Sequence, residues 1–152
     1  LVMGDNVVVL DDGLMVETGT PQTLYDTPKS RYTAELFGEP QILDGVVHDG
    51  GVTTPLGEWD RSALTNSAVA NGDAILIVDA DHLTLQSDTQ GLQITSIDAI
   101  GRLSRVTVKS GLDGAVQVFH CPKVLDSKIT VGSFVRVMHK PRVVFATRSS
   151  LD

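Results

Sequence analysis

The chain has 152 residues, a formal net charge of −7, 41% hydrophobic and 5% aromatic residues and a pI near 4.9. That balance argues against the basic footprint of a nucleic-acid or anionic-membrane binder. No apolar run approaches the roughly 20 residues that span a bilayer, and no signal peptide is visible. A single cysteine, Cys121, rules out an internal disulfide framework and suits a reducing compartment. The expectation is an acidic, soluble, cytoplasmic piece of one ordinary domain, or one small domain plus a fragment, with Val, Leu and Ile filling its core.

In chain order, residues 7–10 and 14–17 are apolar runs separated by Asp11-Asp12-Gly13, a strong short-range hairpin signal because Gly13 accepts positive φ. Thr20-Pro21 and Thr27-Pro28 each set an N-cap threonine before a proline suited to a first helical position, so two short helices are predicted. Gly38-Glu39-Pro40 reads as the stop of the second. Beyond Pro40, short β-type runs fall at 42–48, 52–54, 74–78, 92–99, 103–109, 116–121, 133–139 and 142–147, divided by Gly, Asp, Asn and Pro. Spacing of about ten residues with such punctuation indicates a small all-β barrel or sandwich. Arg105-Val106-Thr107-Val108-Lys109 alternates so that both valines share one face. Residues 62–71 read as a short helix or irregular loop.

Residues 5–40 resemble the segment that closes the nucleotide-binding domain of ATP-binding-cassette (ABC) importer ATPases. The match runs through Asp5, Gly13, Gly19-Thr20-Pro21, Leu24-Tyr25, Pro28, Ala34 and Phe37-Gly38 without a gap. Residues 41–152 resemble, in weaker pieces, the C-terminal regulatory (TOBE) domain of the same ATPases. Those pieces are 71–78 leading to Asp81-His82-Leu83-Thr84-Leu85, then 101–108, then 122–137. Where that family has Arg-Pro-Glu, this chain has Val78-Asp79-Ala80 with Asp81 next, so the arginine's contacts do not carry over. The resemblance implies a mainly β, oligonucleotide/oligosaccharide-binding-like (OB-like) barrel or sandwich preceded by a hairpin and two short helices. The domain division would be 1–40 as nucleotide-binding-domain remnant and 41–152 as regulatory domain.

No GxxxxGK[ST] phosphate loop occurs; Gly50-Gly51 and the 111–114 glycines lack a following Gly-Lys-Ser/Thr. Neither a Leu-Ser-Gly-Gly-type signature nor an apolar strand ending in Asp-Glu is present. By the resemblance the switch histidine would lie just before Leu1, and the chain opens without an initiator Met, as an excised piece would. The fragment is therefore expected not to be an enzyme and to hold no catalytic, cofactor or metal site, while its parent uses ATP and Mg²⁺. His120-Cys121 and Met138-His139 supply soft or borderline ligands, but adjacent strand residues point to opposite faces. Asp79, Asp81 and His82 form a small polar cluster that reads as a solvated turn sooner than a hard-cation site.

The resemblance implies the regulatory and dimerisation portion of the ATP-binding subunit of a bacterial ABC importer. Its expected partners are a second ATPase subunit in a homodimer and the membrane permease subunits, at the inner face of the cell membrane, with no nucleic acid. In some members the regulatory domain also offers a surface to inhibitory small ligands or proteins. The Gly38-Glu39-Pro40 junction and the compact β domain favour the ferric-iron branch; polyamine, sulfate, sugar and phosphonate importers remain alternatives. A second reading is a stand-alone oxyanion- or small-ligand-binding module using Ser104, Thr107, Lys109 and Ser110 as donors. Trp59, Arg61, Tyr25, Tyr32 and Phe37 are candidate interface anchors, with core or docking roles favoured for the tyrosines and Phe37. Apolar residues such as Val8, Leu24 and Phe37 are expected to dock on the β domain, pair with another copy or be poorly ordered.

Overall fold

The computed structural model describes residues 5–37, 40–65, 69–140 and 144–148. Strands β1 (Val7–Asp11) and β2 (Leu14–Gly19) pair antiparallel. Their turn has Asp12 at φ 47 and Gly13 at φ 78, the two positive dihedrals that a two-residue hairpin turn matched to strand twist requires. Val9 and Glu17 lie opposite each other and are buried. Both Glu17 carboxylate oxygens accept the Lys29 N–H at 3.1 Å. The other face leaves Val8, Leu10 and Met15 at 52%, 56% and 66% exposure, so the hairpin shows an apolar face to solvent. Leu24 is fully buried and Phe37 half-buried.

Helix α1 (Pro21–Asp26) starts as the sequence predicts, the Thr20 hydroxyl accepting the Thr23 N–H at 3.1 Å. Helix α2 (Arg31–Phe37) corrects the second expectation. Thr27 does not open it: its N–H donates to the Thr23 carbonyl and it closes α1 with φ −140. The residue before a proline is pushed out of the helical region, so Thr27-Pro28 acts as a stop. Ser30 takes the capping role, accepting the Thr33 N–H at 3.1 Å. The predicted stop at Gly38-Glu39 lies outside the described residues.

The remaining strands are β3 (Gln41–His48), β4 (Gly51–Thr54), β5 (Gly57–Asp60), β6 (Gly72–Val78), β7 (Leu83–Ile100), β8 (Leu103–Lys109), β9 (Val116–Pro122), β10 (Phe134–His139) and β11 (Val144–Arg148). Among the described residues they form two antiparallel sheets, of order β11-β6-β3-β4-β5 and β10-β7-β8-β9. The protein is mainly β, as expected, with few helices. Short 3₁₀ turns lie at Arg61–Ala63 and Ala80–His82. The first answers the loop expected at 62–71, of which 66–68 are outside the described residues, as are 142 and 143 at the start of the last predicted strand. Strand β5 was not predicted, because four residues, two of them acidic, are too short to display a period.

Alternation drives the packing. Val106 and Val108 are fully buried while Arg105 and Lys109 are exposed, the two-residue period read from sequence. They join Leu76 and Val78 from β6, Phe119 from β9 and Val135 and Val137 from β10 in one cluster between the sheets. Each fully buried large side chain contributes about 1.5–3 kcal/mol over leaving it in water. No residue before Leu43 belongs to this cluster. The sheets are tied where the Trp59 indole on β5 donates to the Val137 carbonyl on β10 at 3.0 Å.

Strand β7 serves two neighbours. Its first part pairs with β10, Leu83 opposite His139 through Ser87 opposite Val135; the register then jumps so that Phe134 faces Gln93, and the rest pairs with β8. The residues skipped between Ser87 and Gln93 bulge out, and a Cβ built on Gly91 would sit 2.1 Å from the Val135 carbonyl oxygen. Only glycine fits there. Gly91→Ala is expected to lower unfolding stability by about 2–4 kcal/mol by forcing backbone apart. Gln90→Ala, one residue away and exposed, should change it by less than about 0.5 kcal/mol; denaturant titration of both variants checks the contrast.

Candidate functional surfaces

Three places gather polar chemistry. The first joins the helical segment to the β sheets. Asp79 caps the 3₁₀ turn, one carboxylate oxygen accepting the Asp81 N–H at 2.8 Å and the other the Tyr25 hydroxyl at 2.9 Å. Asp81 pairs in turn with Arg102. Hydrogen bonding to the Asp79 carboxylate, then its charge, raises the Tyr25 pKa above the ordinary value of 10.0. Asp79 and Asp81 are thus both engaged by protein donors, while the buried His82 Nδ1 has no hydrogen-bond partner among the described residues. Among the described residues no group of three or more His, Cys, Asp and Glu side chains is placed to hold a metal ion.

The second place is the outer end of β9. The Gln41 side-chain amide donates to the His120 carbonyl at 2.7 Å and accepts the His120 N–H. A side chain from β3 thus occupies backbone groups that a further strand would otherwise take. The third is an open groove of about 590 Å³ beneath the β7 bulge. Leu56, Leu92 and Phe134 give it an apolar floor, and Glu58, Asp88 and Arg136 a charged rim. Asp88 accepts the Gln90 N–H at 3.0 Å and meets Arg136 at 2.7 Å; the Gln90 bond first, then Arg136, holds its pKa below the usual value.

The other residues singled out from sequence separate clearly. His120 and Cys121 face opposite ways, as expected: Cys121 is 1% exposed in the core, where burial pushes its thiol pKa up to about 11. Met138 is exposed while His139 meets Trp59 edge-on, with ring centroids 5.4 Å apart. Trp59, considered as an interface anchor, is 4% exposed; its single polar atom finds a carbonyl inside the fold, so it is a core residue. Arg61 donates to the carbonyls of His48 and Val69 and to Asn71, fastening a loop. Tyr25 docks on Asp79 of the β domain, the role foreseen for it. Tyr32 is exposed and donates to the Leu10 carbonyl at 3.3 Å within its own segment, so the core or domain-docking role expected of it is not seen.

The supposed oxyanion donors are not brought together. Ser104 is buried and accepts the Val124 N–H, Thr107 and Lys109 lie on the outer face, and Ser110 accepts the Leu112 N–H in the following turn. Alternation along β8 puts Ser104 on the buried face and Thr107 and Lys109 on the opposite one. Gln41 and the Asp88–Arg136 rim were not foreseen, since their partners lie 79 and 48 positions away in sequence. Among the described residues no helix is long and apolar enough to cross a membrane.

No family model matches the chain. Curated proteins that resemble it are import ATP-binding proteins. The spermidine/putrescine import ATP-binding protein of Borreliella afzelii is 37% identical over 57 residues, 38% of this chain and 16% of that protein. The Fe(3+) ions import ATP-binding protein of Vibrio cholerae is 30% identical over 112 residues, 70% of this chain and 31% of that protein. A sulfate/thiosulfate import ATP-binding protein of Bacillus cereus is 25% identical over 154 aligned positions, 95% of this chain and 42% of that protein. The chain therefore spans less than half the length of these relatives.

Two measurements probe the site geometry. Because Asp79 favours the protonated phenol, the Tyr25 contact is complete below the free-tyrosine value near 10 and is lost as pH climbs through the raised one. Asp79→Asn is expected to lower the Tyr25 transition in an alkaline absorbance titration. The Cys121 thiol, buried and with its pKa near 11, should react with a disulfide reagent at neutral pH at least about 100-fold more slowly than in denaturant.

Proposed function

We propose that this chain is the C-terminal regulatory and dimerisation portion of the ATP-binding subunit of a bacterial ABC importer. Residues 1–40 are read as the end of its nucleotide-binding domain and residues 41–152 as its TOBE-type regulatory domain. The observation that carries the reading is the alignment of up to 95% of this chain with import ATP-binding proteins. Those relatives differ in substrate yet share this region. Supporting it, the hairpin and two helices pack mainly on one another, and the β sheets have a core of their own.

In this reading the intact subunit binds ATP and Mg²⁺ in its missing part and engages membrane permease subunits from the cytoplasmic side. The exposed Val8, Leu10 and Met15 face is covered there by the rest of the nucleotide-binding domain, since an apolar patch of this kind normally has a partner. Regulation acts through the joint: a ligand that prefers one placement of the β domain shifts the subunit between open and closed states by its differential affinity alone. Ferric iron is the proposed cargo class. That assignment draws on the Vibrio cholerae relative, which combines 30% identity with 70% of this chain.

The expected outcome is that the gene's upstream reading frame contains GxxxxGK[ST]. Its full product should hydrolyse ATP, while the present chain gives no heat with MgATP in calorimetry. An upstream frame without that motif overturns the reading. Deleting the gene should abolish growth on ferric iron as sole iron source and leave spermidine and sulfate uptake intact; the reverse pattern removes the iron assignment.

A further inference from the structure

Strand β9 is an edge of its sheet, pairing only with β8 among the described residues. The Gln41 amide takes both backbone groups of His120, so His120 turns its N–H and C=O away from β8. Backbone groups alternate sides along a strand, so Val118 and Val116 present theirs to the same open edge. Their side chains are 53% and 56% exposed. Beyond Val116 the edge ends, because Gly114 has φ 70 and donates back to Ser110 in the turn. An uncharged Val116-Gln117-Val118 strip is thus open between a plugged end and a turned end.

We propose that this strip pairs antiparallel with the same strip of a second copy, across a two-fold axis at Gln117. The inference rests on the dimerising part of the functional reading above and names the contact. With the axis at Gln117, Val116 of one copy faces Val118 of the other, and the two pairs exchange four N–H···O bonds. An axis at Val118 instead sets Val116 against the plugged His120 and forfeits those bonds. The open length therefore selects one register.

Charge favours the same occupant. A chain of net charge −7 resists self-association through its acidic faces. Edge strand β5 illustrates the cost, since Glu58 and Asp60 lie within its four residues. The β9 strip has no charge. Lys109, beside Val116 in the ladder, stays about 16 Å from its counterpart, three strand spacings of about 4.8 Å across and two residues of about 3.4 Å along, which exceeds the screening length of about 8 Å. Three residues per copy bury less than the roughly 1,200 Å² of a standard stable interface. The isolated chain dimerises only at concentrations on the order of 0.1–1 mM, whereas subunits already joined elsewhere make the contact at high effective concentration.

Cross-linking tests the register. Gln117→Cys puts two cysteines opposite each other in a non-hydrogen-bonded pair with Cα atoms about 4.5 Å apart, within disulfide reach. It should form a disulfide-linked dimer on mild oxidation at least ten times faster than Val118→Cys, whose opposite residue is Val116; the native Cys121 is buried. In sedimentation velocity Val118→Pro, which removes an outward N–H and leaves the β8 ladder intact, should raise the dimer dissociation constant at least tenfold with unchanged circular dichroism. Equal cross-linking by both cysteine variants, or dimerisation of Val118→Pro like the parent, overturns the assignment. A parent chain that stays monomeric at 1 mM and fails to cross-link through Gln117→Cys overturns it as well. The importer reading is decided separately, by the upstream reading frame.

Discussion

The β domain depends on one strand serving two neighbours. Strand β7 leaves β10 at Ser87 and rejoins the sheet at Gln93, opposite Phe134, before pairing with β8. That exchange curls the sheet, and it succeeds because Gly91 has no Cβ to strike the Val135 carbonyl. From it follow the position of β10, the carbonyl of Val137 that Trp59 reaches, and the closure of the core between the sheets. The open groove beneath the bulge is its by-product.

The helical segment meets the β domain through a directed polar contact and has buried apolar residues of its own. Val9, Leu24 and Ala34 are buried outside the cluster that fills the β domain. The bridge is the Tyr25 hydroxyl on Asp79, with Asp81 and Arg102 behind it. A hydrogen bond of this kind is directional. Exposed ion pairs of this kind contribute little to stability, a median of about 0–1 kcal/mol, so their value is in orientation.

The same economy governs the sheet edge. An unpaired strand invites association, and here one side chain, Gln41, closes part of β9 while the uncharged part stays open. Partial closure limits both the length and the register of whatever pairs there. Full closure would remove the contact, and an open edge of seven residues would permit several registers.

Much of the fold was legible in the chain itself. The Asp12-Gly13 turn, the Thr20 cap and the buried Val106 and Val108 follow from rules acting within a few residues, and the structure keeps them. The resemblance to import ATP-binding proteins was legible too, through Gly19-Thr20-Pro21 and Leu24-Tyr25 in unbroken order. Thr27 misled because the proline after it ends one helix as readily as it opens another. What the sequence could not reveal are the pairings across long separations: Gln41 with His120, Asp88 with Arg136, Trp59 with Val137. Local propensity and period determine which residues face inward; which distant backbone each side chain meets is decided only when the sheets close, because that choice is set by the whole packed core.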